Sequence, residues 1–595
     1  MTETRACQNC KKDFVIEPAD FDFYKKIDVP PPTFCPLCRL QRRLAYRNER
    51  FMFKKKCASS GREIFSLYPG EAPVVIYENV IWHGDSWDAL SYGVDVDFSR
   101  PFLDQVFELY NKAPLYALST VRGVNSEFSG NFDGFKNCYL CFNGNDCEDC
   151  MYSVTLDYLK NCVDVTAATR SENCYGSFWL NGCTNVRYSR QCADSFNLLF
   201  CKSCFGCNDC FGSVNLRNKK YYIFNQPYSK EEYEAKMKEF NLGSHQSVMA
   251  LRKQVEEFWL QHPVKYIEGL KNTNVSGEYI FNSKNTKDSW TVWDAENSRF
   301  LHYMERGPIK DSYDYTVWGS GADSLYECLN VGLGAYNIKF SDECWQDVRN
   351  IEYSFYCLSS SGLFGCVSLK KKQYCILNKQ YTKEEYELLV PKIKKHMDEM
   401  PYVDKNGCVY SYGEFFPAER SAIPYNNTPA QEHFPLTKKA AAAKGYFWRD
   451  GEERKYVPSK QSQELPDLIG DVQDGILKEV ILCEDWASDP EKAEQGSCTK
   501  AFRITPQELS FYRRFNIPLP RKCPNSRHLE RINQRNGIAL YERKCGCLGT
   551  SRGEYKNMNS HLHGTTACEN TFQTAYGPEQ PQIVYCEQCY QQEVL

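Results

Sequence analysis

From Asn173 to Cys210 the chain reads NCYGSFWLNGCTNVRYSRQCADSFNLLFCKSCFGCNDC. Cys174, Cys183, Cys192, Cys201 and Cys210 recur every nine residues. Cys138/Cys147 and Cys357/Cys366/Cys375 keep the same step, and Asn precedes Cys at 137, 161 and 173. Between the cysteines lie short β-prone runs, such as 139–142 and 177–180, broken by Asn, Gly and Asp. No long helix fits a stretch so interrupted. Short strands with turn residues at a fixed step predict a β-solenoid, two steps making a coil of roughly 18–20 residues. Small Cys side chains can stack from coil to coil in such a core.

A metal cluster is the rival reading. Cys201, Cys204, Cys207 and Cys210 share the close spacing of a ferredoxin run, and Cys138, Cys141, Cys147 and Cys150 that of a compact knuckle. The ferredoxin run needs a wider last gap and a following Pro. Phe211 follows here, and Cys201 and Cys210 belong to the nine-residue series. An iron–sulfur cluster is therefore not expected.

The solenoid comes in two halves. Phe211–Glu234 aligns with Phe364–Glu387, each running through Lys-x-Tyr-x-Ile-x-Asn into Tyr-[Ser/Thr]-Lys-Glu-Glu-Tyr-Glu. The last part predicts a helix start, with Ser229 or Thr382 as N-cap and Glu232 or Glu385 completing a capping box. Between the halves, Val248, Leu251, Val255, Phe258 and Trp259 form the apolar stripe of a helical insertion.

A related module brackets the chain. Cys10–Cys57 aligns with Cys498–Cys545 without a gap, matching at Phe14/Phe502, Pro18/Pro506, Tyr24/Tyr512, Cys35/Cys523, Arg39/Arg527, Arg43/Arg531 and Arg47/Arg535. In the first copy, Cys7-x2-Cys10 and Cys35-x2-Cys38 are two knuckles able to close a tetrahedral zinc site, and the second leads directly into a helix. In the second copy Ser526 stands where Cys38 stands. Cys483, Cys498 and Cys523 with His528 form a further candidate site there. A C-terminal site is assigned to Cys545, Cys568, Cys586 and Cys589, with Cys547 as the substitute for Cys545 and His561 and His563 nearby.

The expected fold is mostly β with added helices: a parallel β-helix-like solenoid in two halves, flanked by two treble-clef or zinc-ribbon modules. The segments read as a zinc module at 1–95, a solenoid half at 96–226, a helical insertion at 227–271 and a second half at 272–380. A helix follows at 381–400, then a Pro-rich strap at 401–466 and a second zinc module at 467–595.

Composition fits a folded chain. Of 595 residues, 42% are hydrophobic and 25% charged, so wholesale disorder is not expected. The cysteine count is 31, and several pairs with CxxC spacing in so long a chain favour a reducing, cytoplasmic setting over disulfides. No apolar run predicts a membrane helix, and the polar residues 2–5 predict no signal peptide.

The CPxC-R-x3-R-x3-RN-x-R segment, the coils ending in KxYxIxN, and the C-terminal Pro-x-Ile-Val-Tyr-Cys-x-x-Cys-Tyr resemble uncharacterised zinc-ribbon, cysteine-rich solenoid proteins predicted in genomes of small uncultivated bacteria. The resemblance implies a bacterial, zinc-binding protein and carries no activity or catalytic residue.

Charge supplies the functional expectation. The net charge is −4, yet Arg39, Arg43, Arg47 and Arg50 crowd one helix, with Arg527, Arg531 and Arg535 as counterparts. Arginines beside aromatics suit phosphate pairing and base stacking, so RNA or a ribonucleoprotein is the expected partner. The solenoid would offer a further surface to a protein. The alternative keeps Arg43 and Arg47 inside the module, paired with Asp20, Asp22 or Glu17. No phosphate loop, metalloprotease helix or nucleophile elbow is present. Two other classes stand: a carbohydrate-active solenoid using carboxylates such as Asp146, Glu148, Asp149, Asp342, Glu343, Asp294 or Glu296, and a self-assembling scaffold.

Overall fold

The computed structural model describes residues 2–304, 306–450, 457–549 and 555–594. Residues 451–456, which the sequence assigns to the strap, lie outside the described set.

The solenoid is present, but its coil is shorter than the cysteine step suggests. Parallel strands pair Val154 with Thr166, Thr166 with Phe178 and Phe178 with Arg190, a coil of twelve residues. One residue in three takes a positive φ: Asn137 54°, Leu140 50°, Asn143 56°, Asp146 48° and Asp149 55°. Each coil therefore has four short sides, and the residue after each left-handed corner points inward. Cys138, Cys141, Cys147, Cys150, Leu159, Cys162 and Val165 obey this register and are buried. A nine-residue step stops one side short of a full coil. The residues that stack are twelve apart, as in Cys138, Cys150, Cys162 and Cys174.

Small or slender side chains fill most of so tight a coil, Phe132 and Phe135 stack inside it at 4.5 Å, and its polar members are wired. The Ser153 hydroxyl donates to the Met151 carbonyl at 2.8 Å and accepts from the Val165 amide at 3.0 Å. Cys174 Sγ donates to the Glu172 carbonyl at 3.4 Å. The left-handed corners strain every residue except Gly, and Asn and Asp least of the rest. Bonds between coils offset that strain. The Asn137 amide donates to the Val124 carbonyl at 2.9 Å, and the Asp149 amide to that of Lys136 at 3.0 Å. Asn side chains add ladders: Asn125 to Asn137 at 3.1 Å and Asn137 to Asp149 at 3.0 Å. In the second solenoid segment the offset widens locally, pairing His302 with Thr316 and Asp323 with Tyr336, then returns to twelve at Arg349 with Ser361.

The chain forms two compact units, and each joins one cysteine module to one solenoid segment. The first unit holds Met1–Leu118, Ile267–Arg449 and Ile538–Leu540; the second holds Ser119–Tyr266, Asp450–Gly537 and Tyr541–Leu595. The N-terminal module therefore belongs with the later solenoid segment, and the C-terminal module with the earlier one. Residues 102–112 form a helix of the first unit, and the first coil strand begins at Thr120.

Four helices recur as two pairs: α1 (Pro18–Lys26), α2 (Pro36–Leu44), α3 (Pro506–Arg514) and α4 (Pro524–Ile532). Each starts with Pro at its first position, where no intrahelical donor is lost. In the first unit, aromatic residues of module and strap cover the coil face. Phe23 of α1 stacks on Tyr313 at 3.9 Å, and Phe416 of the strap on Phe355 at 4.1 Å. In the second unit Phe511 and Tyr512 of α3 meet Tyr175. Both capping boxes form, and Val248, Leu251, Val255 and Trp259 of the insertion are buried against Phe200 and Phe211. Among the described residues no helix is long and apolar enough to cross a membrane.

Candidate metal centres and arginine clamps

Cys7, Cys10, Cys35 and Cys38 converge, with their Sγ atoms all within 4.8 Å of one another. A tetrahedral ion with about 2.3 Å bonds to sulfur has edges of about 3.8 Å. Cys10 and Cys35 are 3.7 Å apart at Sγ. The Cys35 amide donates to Cys7 Sγ at 3.2 Å, and Asn9 Nδ2 to Cys38 Sγ at 3.3 Å, so donors favour thiolates. The Cys7 thiol is pulled far below its usual value by bonds from Cys35 and Cys38. Cys35 is also the N-cap of α2, which places its charge at the positive end of the helix.

The C-terminal module gathers cysteines again, with one intact knuckle at Cys586 and Cys589. Cys483, Cys498 and Cys523 gather within the same span, with the Cys523 amide donating to Cys483 Sγ at 3.2 Å. They occupy the roles of Cys7, Cys10 and Cys35. The fourth position belongs to Ser526, whose hydroxyl lies 3.5 Å from Cys523 Sγ. His528, expected as its fourth ligand, is buried on α4 and is not among the converging atoms. Cys545, Cys568, Cys586 and Cys589 also converge, with Cys568 and Cys586 3.9 Å apart at Sγ and the Cys586 amide on Cys545 Sγ at 3.2 Å. Cys547 does not replace Cys545. It joins His561, His563 and Cys589 in a separate group.

The arginines face inward. Arg39 and Arg43 are fully buried, and Arg42 of the same helix is buried with them. Arg39 meets Asp314 at 2.8 Å; Arg42 meets Glu327 at 2.6 Å and Glu414 at 3.0 Å. Arg43 meets Asp314 at 3.1 Å and Glu327 at 2.9 Å. Three guanidinium groups balance three carboxylates in a cluster closed to water. Burial alone would lower the Arg39 pKa, but Asp314 beside it holds that value above the ordinary one. Burial pushes the Glu327 carboxyl up against the pull of Arg42 and Arg43.

The second unit repeats the arrangement. Arg527 meets Asp164 at 2.8 Å and Glu508 at 3.4 Å, and Arg531 meets Asp164 at 2.8 Å. Arg43 Nε donates to the Thr316 hydroxyl and Arg531 Nε to the Thr166 hydroxyl, both at 3.1 Å. A coil segment Asp-x-Thr therefore receives the module's second arginine in each unit: Asp314-Tyr-Thr316 and Asp164-Val-Thr166. That matched pair was a readable signal in the sequence.

These positions correct the phosphate reading of Arg39, Arg43, Arg527 and Arg531, because a guanidinium sealed against carboxylates has no face for a phosphate. The in-module alternative holds in part. Arg43 meets coil carboxylates and Asp20 pairs with Arg299 at 2.9 Å, but Glu49 of the same module meets Arg47, and Glu508 of α3 meets Arg527. Arg47 reaches Glu49 at 3.0 Å and Glu343 at 3.8 Å, Arg50 reaches Glu432 at 3.1 Å, and Arg535 Nε donates to the Ile532 carbonyl at 3.1 Å.

The candidate catalytic carboxylates are engaged too. Asp146 pairs with Arg122, Glu148 with Lys136 and Lys160, and Asp149 accepts from Asn137. Asp294 accepts from Asn282, and Glu296 pairs with Lys284. Asp342 and Glu343 are buried.

No family model matches the chain. No curated protein matches it either. Among solved structures, a chain described as an acetyltransferase from Desulfovibrio desulfuricans G20 is 10% identical, over 49% of this chain and 86% of the other, with a TM-score of 0.09.

Proposed function

We propose that the protein is a non-enzymatic, zinc-dependent scaffold, in which each cysteine module is a clamp fastened to the flank of a solenoid segment. One observation carries the reading: in both units the helix that follows the Cys-Pro turn buries its arginines on a coil aspartate, Asp314 or Asp164, in charge-balanced sets that Glu414 of the strap completes in one unit and Glu508 of α3 in the other. Zinc is the metal that suits closed sets of three or four thiolates with amide donors. The coils then serve as the display surface. Their lumen is filled, and their exposed faces carry paired charges and Asn ladders.

Zinc removal tests this. Structural zinc contributes folding free energy directly, so a chelator should open both modules to protease while the coils stay protected. Modules equally resistant with and without metal would contradict the reading. RNA anisotropy at two salt concentrations belongs beside it. Steeply salt-dependent binding would give the ribonucleoprotein reading its partner. Glycan cleavage by the purified protein would move the function to the carbohydrate-active class.

A further inference from the structure

We propose that the C-terminal module holds two zinc ions bridged by the Cys589 thiolate. The proposal rests on the zinc reading above and adds a second ion with histidine ligands. Seven donors sort into two groups of four: Cys545, Cys568, Cys586 and Cys589, and Cys547, His561, His563 and Cys589. Cys589 belongs to both, and within each group every ligand atom lies within 4.8 Å of the others.

The second group has the spacing of ligands around one ion. Cys547 Sγ lies 3.4 Å from His561 Nδ1 and 3.4 Å from His563 Nε2, and His563 Nε2 lies 3.3 Å from Cys589 Sγ. With bonds of about 2.3 Å to sulfur and 2.0–2.1 Å to nitrogen, a tetrahedral sulfur–nitrogen edge is about 3.5 Å.

Each ring also has its other nitrogen fixed. His561 Nε2 lies 3.1 Å from Glu593, and His563 Nδ1 lies 2.7 Å from the Thr566 carbonyl. This is the outer-shell pattern of metal-bound imidazole: one nitrogen toward the ion, the other donating to oxygen. Glu593 is itself held, accepting from the Tyr555 hydroxyl at 2.7 Å and the Met558 amide at 2.8 Å. Asn557 Nδ2 donates to Cys547 Sγ at 3.1 Å while its Oδ1 accepts from the Tyr585 hydroxyl at 2.6 Å.

Charge and sequence agree. Five thiolates around one divalent ion would bury a large negative excess; two ions reduce it to a single charge, which the Asn557 and backbone donors can offset. The N-terminal module has the matching hairpin, Phe53–Lys56 with Glu63–Ser66, but only a short turn at its tip. In the C-terminal hairpin, Tyr541–Lys544 with Thr571–Thr574, the intervening segment carries Cys547, His561, His563 and Cys568. The insertion brings the second site. Both ions would be four-coordinate with protein ligands alone, which makes the pair structural, with no position for a substrate.

Native mass spectrometry of the full chain tests it. His563→Ala should lose one zinc relative to wild type, and Cys589→Ser should lose or labilise two. An unchanged count in His563→Ala overturns the proposal. Wild type without any zinc would overturn the zinc reading too, which separates the two failures. Should these variants misfold, cobalt-substituted wild type decides. Thiolate-bridged Co(II) ions couple antiferromagnetically, so the spin signal should fall short of the cobalt bound. A full, uncoupled signal would overturn the bridge.

Discussion

Replacing Arg43 by Met probes the clamp most sharply. The side chain is fully buried and serves three acceptors: Asp314 at 3.1 Å, Glu327 at 2.9 Å and the Thr316 hydroxyl at 3.1 Å. The variant leaves Arg39 and Arg42 facing Asp314, Glu327 and Glu414, an uncompensated negative charge out of reach of water. Removing one partner of a buried pair typically costs about 3–5 kcal/mol. Glu327 keeps Arg42 at 2.6 Å and Asp314 keeps Arg39 at 2.8 Å, which puts the loss near the low end. At about 3 kcal/mol, amide exchange over residues 36–44 should quicken by roughly 100-fold, since each 1.36 kcal/mol is a factor of ten. The equivalent helix α4 in the other unit serves as internal control. Adding Glu327→Gln restores neutrality and should recover part of the loss, with a coupling of about 1–3 kcal/mol in the double-mutant cycle. Exchange unchanged in Arg43→Met would refute the clamp. So would loss of nucleic-acid binding with exchange intact, because that would mean the guanidinium faces a phosphate.

Three further outcomes follow from particular residues. Ser526→Cys restores the fourth thiolate beside Cys483, Cys498 and Cys523, and should raise zinc affinity there, read by competition with a chelating dye. In the coils, burial pushes the Cys183 thiol up to about 12 and raises Cys201 well above its usual value, so both should label slowly in the folded chain; Cys201→Ala should cost about 1 kcal/mol and Cys201→Lys should prevent the coil from closing. Burial raises the Asp342 carboxyl, with Glu343 and Cys344 adding to the effect and Arg47 opposing it. A folded pKa above the unfolded one stabilises below the unfolded value and is lost as pH rises through the folded value. Asp342→Asn should therefore gain stability over wild type as pH rises from acid to neutral, read from paired melting curves.

The sequence shows most clearly what is encoded locally. The knuckles Cys7/Cys10, Cys35/Cys38 and Cys586/Cys589 are fixed by spacing, and the capping boxes at Ser229 and Thr382 by neighbouring residues. The coil length was harder, because inward positions recur every three residues and a nine-residue cysteine step also obeys that rule. The twelve-residue signal lay instead in the corner residues Asn137, Asp149, Asn161, Asn173, Asn185, Asn197 and Asp209, whose polar side chains line one edge. The direction of Arg39 and Arg43 was not legible at all from the module alone. A helix face rich in arginine reads the same whether it meets phosphate or carboxylate, and Asp314 and Glu327 are contributed by distant coils. The second zinc group was half legible: His561 and His563 were visible near the cluster, but their grouping with Cys547 depends on how the insertion folds back onto Cys589.

Metal content bears most directly on the central claim that the modules are metal-fastened clamps. Elemental analysis of the chain purified without added metal should find two or more zinc per molecule, spread over the N- and C-terminal cysteine groups. Less than one zinc per molecule, or iron in its place with broad visible absorbance, would contradict the account.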